Sequence, residues 1–323
     1  MNSISGLLIL CIAVSSVHAA DPGWKPQRNV EIVVGAQAAG ANDRAGRLLQ
    51  KTLTETSAVP GSMTVVNKPE QGQSLAVAYV NAHPADPHYL LILGSSWVTT
   101  AITTGTTSTH RDLSPIMKLM NGDLVVFVPA ESQIRTVQNV VDGVRKDPAS
   151  LSFGFSTSAG NSLHIALAEL ARLAGADPRK LRIVVNPSGT ITATQVAGGH
   201  VNVGISSSGS AQAMAGAGKV RLIGAISSQR LPQLPDLPTL REQGYDVVAS
   251  TWYALFGPKG VAPAQVAYWE DAIGKAMRHP EAKRFAEINN WTIELVGSRE
   301  LPIELDREHA RLRAMLSELG MAK

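Results

Sequence analysis

Short apolar runs alternate along this chain with loops of small residues and with stretches where apolar residues recur at helical spacing. Residues 30–34 read as a buried strand, followed by a small-residue loop over 35–41. Asn42 or Asp43 then has the character of a helix N-cap, and Ala45, Leu48, Leu49 and Leu53 mark one helix face. Residues 63–66 form a second strand pattern, 75–81 a helical one, and 89–93 a third strand that ends at Gly94-Ser95-Ser96. This strand–helix alternation predicts a parallel sheet with right-handed crossovers.

A second cycle of the same kind begins with an apolar run at 124–128. Strands are expected at 151–155, 181–185, 201–205 and 221–225, with helices at 164–174 and 190–197. Two cycles of similar size imply two α/β lobes, each a mostly parallel sheet flanked by helices. The C-terminal part reads as helical. Pro263 suits a first helical turn, with Val266, Trp269, Ile273 and Met277 on one face. A last helix over 302–319 places Leu312, Leu316 and Leu319 together and ends at Gly320.

Composition narrows the class. With 323 residues, 44% hydrophobic and 17% charged, the chain is of ordinary globular type and long enough for two domains. The net charge of +3 comes from dispersed Lys and Arg, so there is no nucleic-acid footprint. Residues 4–17 are apolar and small, and Val17-His18-Ala19 is a small-x-small cleavage pattern, so 1–19 is expected to be a secretory signal peptide. Nothing later in the sequence is apolar for long enough to span a membrane. The single cysteine, Cys11, leaves with that segment, which excludes a disulfide, a thiolate nucleophile and a Cys metal site. No cofactor and no metal are expected.

Ligands of open parallel sheets bind at the carboxyl ends of strands, against helix N-termini. Five loops fall at such ends: 35–42, 94–96, 156–162, 187–190 and 206–210. None contains Lys or Arg. They offer backbone N–H groups, hydroxyls and a carboxamide, which together suit a carboxylate. The candidate ligand-binding residues are Gln37, Ala38, Ala39, Gly40 and Asn42 in the first loop and Ser95 and Ser96 in the second. Ser158, Gly160, Asn161, Ser162 and His164 follow in the third, then Ser188, Thr190 and Ser207, with Trp252 as a cleft aromatic. Enzyme motifs are scarce. Residues 204–209 carry one residue too many for a nucleophile elbow, and 35–40 lacks the Lys-Ser/Thr of a P-loop. The alternative function is a secreted serine hydrolase using Ser206 or Ser158 with His164.

Several segments together resemble the solute-binding receptors of tripartite tricarboxylate transporters, the Bug family. A strand and small loop are followed by Asp43 and Gly46-Arg47, then by Asn67-Lys68-Pro69-Glu70-Gln71-Gly72 and Asp112-Leu113-Ser114-Pro115. A serine/glycine loop ends in His164. The most specific stretch runs from Arg230-Leu231-Pro232 through Pro238-Thr239 and Glu242-Gln243-Gly244-Tyr245 to Trp252-Tyr253-Ala254-Leu255-Phe256-Gly257-Pro258. The resemblance implies a two-lobed periplasmic binding protein of the Venus-flytrap, type II-like kind. It would be a monomer that binds a di- or tricarboxylate, acidic amino acid or aromatic acid and passes it to membrane transporter subunits. Lobe one is expected over 20–122 plus 250–323, and lobe two over 123–249. Two departures fall where ligand should sit. Gln37-Ala38-Ala39-Gly40 replaces the family's common Pro-Pro-Gly-Gly, and Ser207-Ser208 replaces its usual Asp-Asn. The ligand is therefore not carried over from other members.

Overall fold

A computed structural model describes residues 23–38, 40–69, 73–106, 109–156 and 158–323. The expected signal peptide and the position of Ala39 lie outside the described residues. The first strand, β1 (Val30–Val34), is apolar on both faces because Ile32 and Val33 enter different core clusters. It leads into α1 (Ala41–Glu55), which buries Ala45, Leu48, Leu49 and Leu53 as their spacing requires. The N-cap is Gly40 rather than Asn42 or Asp43. The side chains of those two residues are occupied elsewhere, as described below. β2 (Met63–Asn67), α2 (Ser74–Asn81), β3 (Tyr89–Gly94) and α3 (Ser96–Thr104) complete the first cycle. β1 lies between β2 and β3, parallel to both.

β4 (Leu113–Pro129) is 17 residues long, far beyond the apolar run that signalled it. The second cycle follows as α4 (Val137–Lys146), β5 (Ser152–Ser156), α5 (Ser162–Leu173), β6 (Arg182–Asn186), α6 (Gly189–Ala197), β7 (Val203–Ser207), α7 (Ser208–Gly216) and β8 (Val220–Ala225). β5 pairs parallel with β6 and β7. The chain returns through β9 (Ser250–Pro258) and ends in α8 (Pro263–Arg278), α9 (Pro280–Asn289), β10 (Trp291–Gly297) and α10 (Leu301–Glu318).

The strand order is β2-β1-β3-β9-β4-β7-β5-β6, with β8 and β10 also on β4. Each half thus keeps a parallel nucleus. The ladders that join the halves are antiparallel, because β4 and β9 carry the chain in opposite directions. Asp123 of β4 pairs with Ser250 of β9, and the next residue, Leu124, pairs with Ser207 of β7. The long strand changes partners within a single step. Its second half also needs Gly204: a Cβ there would lie 2.3 Å from the Phe127 ring.

Two apolar layers cover the faces of the first sheet half, one around Ile32, Leu49 and Trp269, the other around Val33, Phe256 and Leu312. Two more cover the second, around Val126, Phe155 and Ile205 and around Phe127, Val196 and Ala211. Ile165 and Ala168 of α5 belong to the cluster that holds Leu312, Met315 and Leu316 of α10. The halves are therefore joined by an apolar helix–helix seam as well as by β4 and β9.

Candidate functional site

The five small-residue loops end β1, β3, β5, β6 and β7, and lead into α1, α3, α5, α6 and α7. All five contribute to one cavity of about 430 Å³. Its wall includes Gly40, Asn42, Ser95, Ser96, Asn161, Ser162, Ser188, Thr190, Ser207 and Trp252 from the expected set. Gly94, Ser156, Ser210, Leu124, Thr251 and Tyr253 join them, as does Arg44. Gln37 and Ala38 are exposed and do not reach this wall, nor do Ser158, Gly160 and His164.

The wall is built from helix starts. The backbone N–H groups of a first helical turn lack intrahelical partners and carry partial positive charge. α5 is capped by Asn161, whose Oδ1 accepts from the His164 N–H at 3.0 Å while Nδ2 donates to Ser156 O at 2.6 Å. α6 is capped by Ser188, whose Oγ accepts from the Ile191 N–H at 3.2 Å. α1, α3 and α7 start without a side-chain cap. Such starts suit an anion without requiring a cation.

Behind the wall, polar side chains fix the loops. Asp43, 1% exposed, accepts from Arg47 Nε and from Asn67 Nδ2, both at 2.9 Å. Asn67 Nδ2 also donates to Ala36 O at 3.0 Å. These motif residues thus brace the first loop. Gln73, 4% exposed, was not signalled by the sequence. Its Oε1 accepts from Asn42 Nδ2 at 2.7 Å and from the Gly94 N–H at 3.1 Å, and its Nε2 donates to Ser96 Oγ at 2.9 Å. One carboxamide so ties the starts of α1 and α3 together. A Cβ on Gly94 would lie 3.0 Å from Asn42 Oδ1, so the close approach of these parts depends on glycine.

His164 lies behind the wall. It is buried against Phe155, ring centroids 5.2 Å apart, and its Nδ1 accepts from the Gly160 N–H at 2.9 Å. Burial holds its pKa below the usual imidazole value. Ser206 is fully buried and donates to Ser207 O at 3.1 Å, so its hydroxyl is withdrawn from any substrate. Trp97, at the start of α3, faces away from the cavity and is a core residue against Phe256.

Arg44 is the only charged residue on the described wall. Its guanidinium carbon lies 5.6 Å from the centroid of Trp291, which stacks on Tyr253 at 4.6 Å. Burial raises the Tyr253 pKa, opposed by a hydrogen bond with Thr251 and by the charge of Arg44. Trp252 donates from Nε1 to Glu308 Oε2 at 2.6 Å, and burial holds that carboxyl above the usual range.

A two-lobed α/β chain whose uncharged strand-end loops converge on one cleft is, by its architecture, a solute-binding protein. Residues 46–320 match the model of the tripartite tricarboxylate transporter family receptor, and the chain belongs to that family. Its members are receptors, not enzymes. The UPF0065 protein in the tcbD-tcbE intergenic region of Pseudomonas sp. (strain P51) is 29% identical over 280 residues, covering 85% of this chain and 81% of that protein. Among solved structures, Rhodopseudomonas palustris Rpa4515 with adipate superposes with a TM-score of 0.78 at 19% identity, over 92% of this chain and 99% of that one. MatC from the same species, with bound malate, gives a TM-score of 0.74 at 19% identity, over 90% and 99%. No helix among the described residues is long and apolar enough to cross a membrane.

Proposed function

We propose that this chain is a periplasmic receptor, released by cleavage of 1–19, that captures a small carboxylate and delivers it to the membrane subunits of a tripartite transporter. The ligand sits between a lobe of 20–122 plus 250–323 and a lobe of 123–249, a division supported by the change of β4 partners after Asp123. At least one carboxylate is held by helix-start N–H groups and by hydroxyls of Ser95, Ser162, Ser188, Thr190 and Ser207. The observation that carries this reading is the convergence of five helix starts on one cavity with a single charged side chain on its described wall. The adipate and malate held by the two solved neighbours support the ligand class.

The test is a thermal-shift screen of the purified chain against mono-, di- and tricarboxylates, run beside an ester-hydrolysis panel. A ligand at a hundred times its Kd stabilises the folded state by about 2.7 kcal/mol. Stabilisation by a carboxylate without ester turnover is the expected result. Ester turnover, or no shift with any acid at millimolar concentration, would refute the reading.

A further inference from the structure

His164 stands behind the third loop, outside the cavity wall. Its ring plane lies 17° from that of Phe155, a stack that fixes the direction of both nitrogens. A peptide N–H only donates, so Nδ1, 2.9 Å from the Gly160 N, is an acceptor and carries no proton. The ring is therefore a neutral imidazole protonated at Nε2. The same turn closes a second time, through the His164 N–H on Asn161 Oδ1. Gly160 is buried with φ 85°, and a Cβ there would lie 3.1–3.2 Å from Met321, Leu316 and Thr103. The loop is thus wedged between its own helix and the ends of α3 and α10. The next two residues, Asn161 and Ser162, are cleft wall.

We propose that His164 is a positioning residue for the carboxylate site: as a neutral acceptor it holds the third loop in its binding shape, and a proton on Nδ1 releases the loop and with it the ligand. This rests on the carboxylate-receptor reading and adds a pH rule to it. An imidazolium turns an N–H towards the Gly160 N–H and leaves that buried donor without an acceptor, which corresponds to about a 5- to 150-fold change in an equilibrium. Burial is the sole cause that lowers the His164 pKa from its ordinary value of 6.5. β5 and α3 carry no charged side chain. On the seam, Glu169 and Arg172 of α5 pair with Arg311 and Glu318 of α10, and Lys323 lies against Gly105. The neutral ring is the state near pH 7.5, and the support it gives is lost as pH falls below 6.5. A carboxylate in the cavity attracts an imidazolium, but from across the wall, whereas the proton breaks a direct contact, so the loss prevails.

The experiment is calorimetric titration with malate and with adipate, from about pH 7.5 to about pH 4.5, of the whole chain and of its His164→Asn and His164→Phe variants. Nitrogen NMR of the imidazole in the ligand-free chain runs beside it. Asn offers a non-titrating acceptor near the Nδ1 position, while Phe keeps the stack on Phe155 and offers none. Comparing chains at each pH cancels the ligand's own protonation. The expected result is that the natural chain loses at least about fivefold in affinity relative to His164→Asn as pH falls, in step with the NMR titration of His164, and that His164→Phe binds weakly at every pH. A ratio that is flat with pH, or that rises in acid, would overturn the assignment and leave the receptor reading intact. So would an Nδ1 found protonated at pH 7.5. If His164→Phe does not fold, the ratio of the natural chain to His164→Asn still decides. Failure of the natural chain to bind any carboxylate at pH 7.5, with Nδ1 unprotonated, would overturn the receptor reading itself and the pH rule with it.

Discussion

Gln73 offers the sharpest perturbation because one buried side chain serves two walls of the cleft. Gln73→Met keeps an unbranched chain of similar length and removes every polar contact. The Gly94 N–H, 3.1 Å from Oε1 in a buried position, loses its acceptor. An orphaned buried donor costs about 1–3 kcal/mol. Asn42 and Ser96 are half-buried on the cleft wall and regain water, so their losses are smaller, about 0.5–1 kcal/mol each. The expected destabilisation is about 2–5 kcal/mol, measured by urea unfolding followed by circular dichroism. Carboxylate affinity falls as well, since the starts of α1 and α3 lose their common tie. Gln73→Glu separates the two effects. It keeps an acceptor for Asn42 and Gly94 but sets a negative charge beside the anion site, so affinity falls more than stability does. If Gln73→Met unfolds within about 0.5 kcal/mol of the natural chain and binds ligand equally well, the bracing role is refuted.

Two further outcomes are expected. Gly94→Ala puts a Cβ 3.0 Å from Asn42 Oδ1 and displaces that side chain from Gln73. Ligand affinity measured by titration should fall about three- to tenfold, the equivalent of one hydrogen bond. Asp123, at the partner change of β4, has a pKa raised from 3.8 to about 6 by burial, opposed by the hydrogen bond from Thr292. A raised carboxyl favours the folded state below its unfolded value, and that advantage is lost as pH climbs from there through about 6. Asp123→Asn should therefore be more stable than the natural chain by about 3 kcal/mol near pH 7.5 and within about 0.6 kcal/mol of it near pH 4, as read from urea midpoints. Equal midpoints at both pH values would contradict this.

Much of this arrangement is legible in the sequence because it follows from local chemistry. A run such as Val30–Val34 is buried on both faces, and the Gly and Ala residues that dominate the loop after it leave a bare helix start. What is not legible depends on distant contacts. β4 is masked by Lys118, Asn121 and Asp123, polar residues tolerated because Glu294, Glu304 and Thr292 meet them from other elements. β10 follows two helices and has the sequence Trp-Thr-Ile-Glu-Leu-Val-Gly, only partly buried, so no clear alternation of buried and exposed positions sets it apart from its helical neighbours. α7 is mostly Ser, Ala and Gly, with Met214 its one large apolar residue, and so shows no apolar stripe. Gln73 is beyond sequence reasoning altogether. Its placement rests on a left-handed backbone, φ 65°, beside Gly35, where a Cβ would lie 2.7 Å from its own. Arg44 lies two residues past the first uncharged loop, and the first turn of α1 carries it onto the same wall.

The seam between α5 and α10 closes one side of the cleft. The start of α5 is cleft wall, through Asn161 and Ser162, while Ile165 and Ala168 one turn later pack in the cluster of Leu312, Met315 and Leu316. Two ion pairs flank the seam, Arg311 with Glu169 at 2.7 Å and Arg172 with Glu318 at 3.0 Å. Gly160, with φ 85°, closes it from above: a Cβ there would lie within 3.2 Å of Met321, Leu316 and Thr103. Separating the halves along this seam would expose apolar side chains at about 1.5–3 kcal/mol each. On the Arg44 side the halves meet through α7 and the end of α9, where Ser208 Oγ donates to Asn290 O at 3.3 Å and a Cβ on Gly209 would lie 2.9 Å from Asn289 O. The helix that contributes the third loop to the cleft is thus also the one that α10 anchors to the first sheet half, so a change at Ile165 or Ala168 would reach the cleft wall through Asn161 and Ser162.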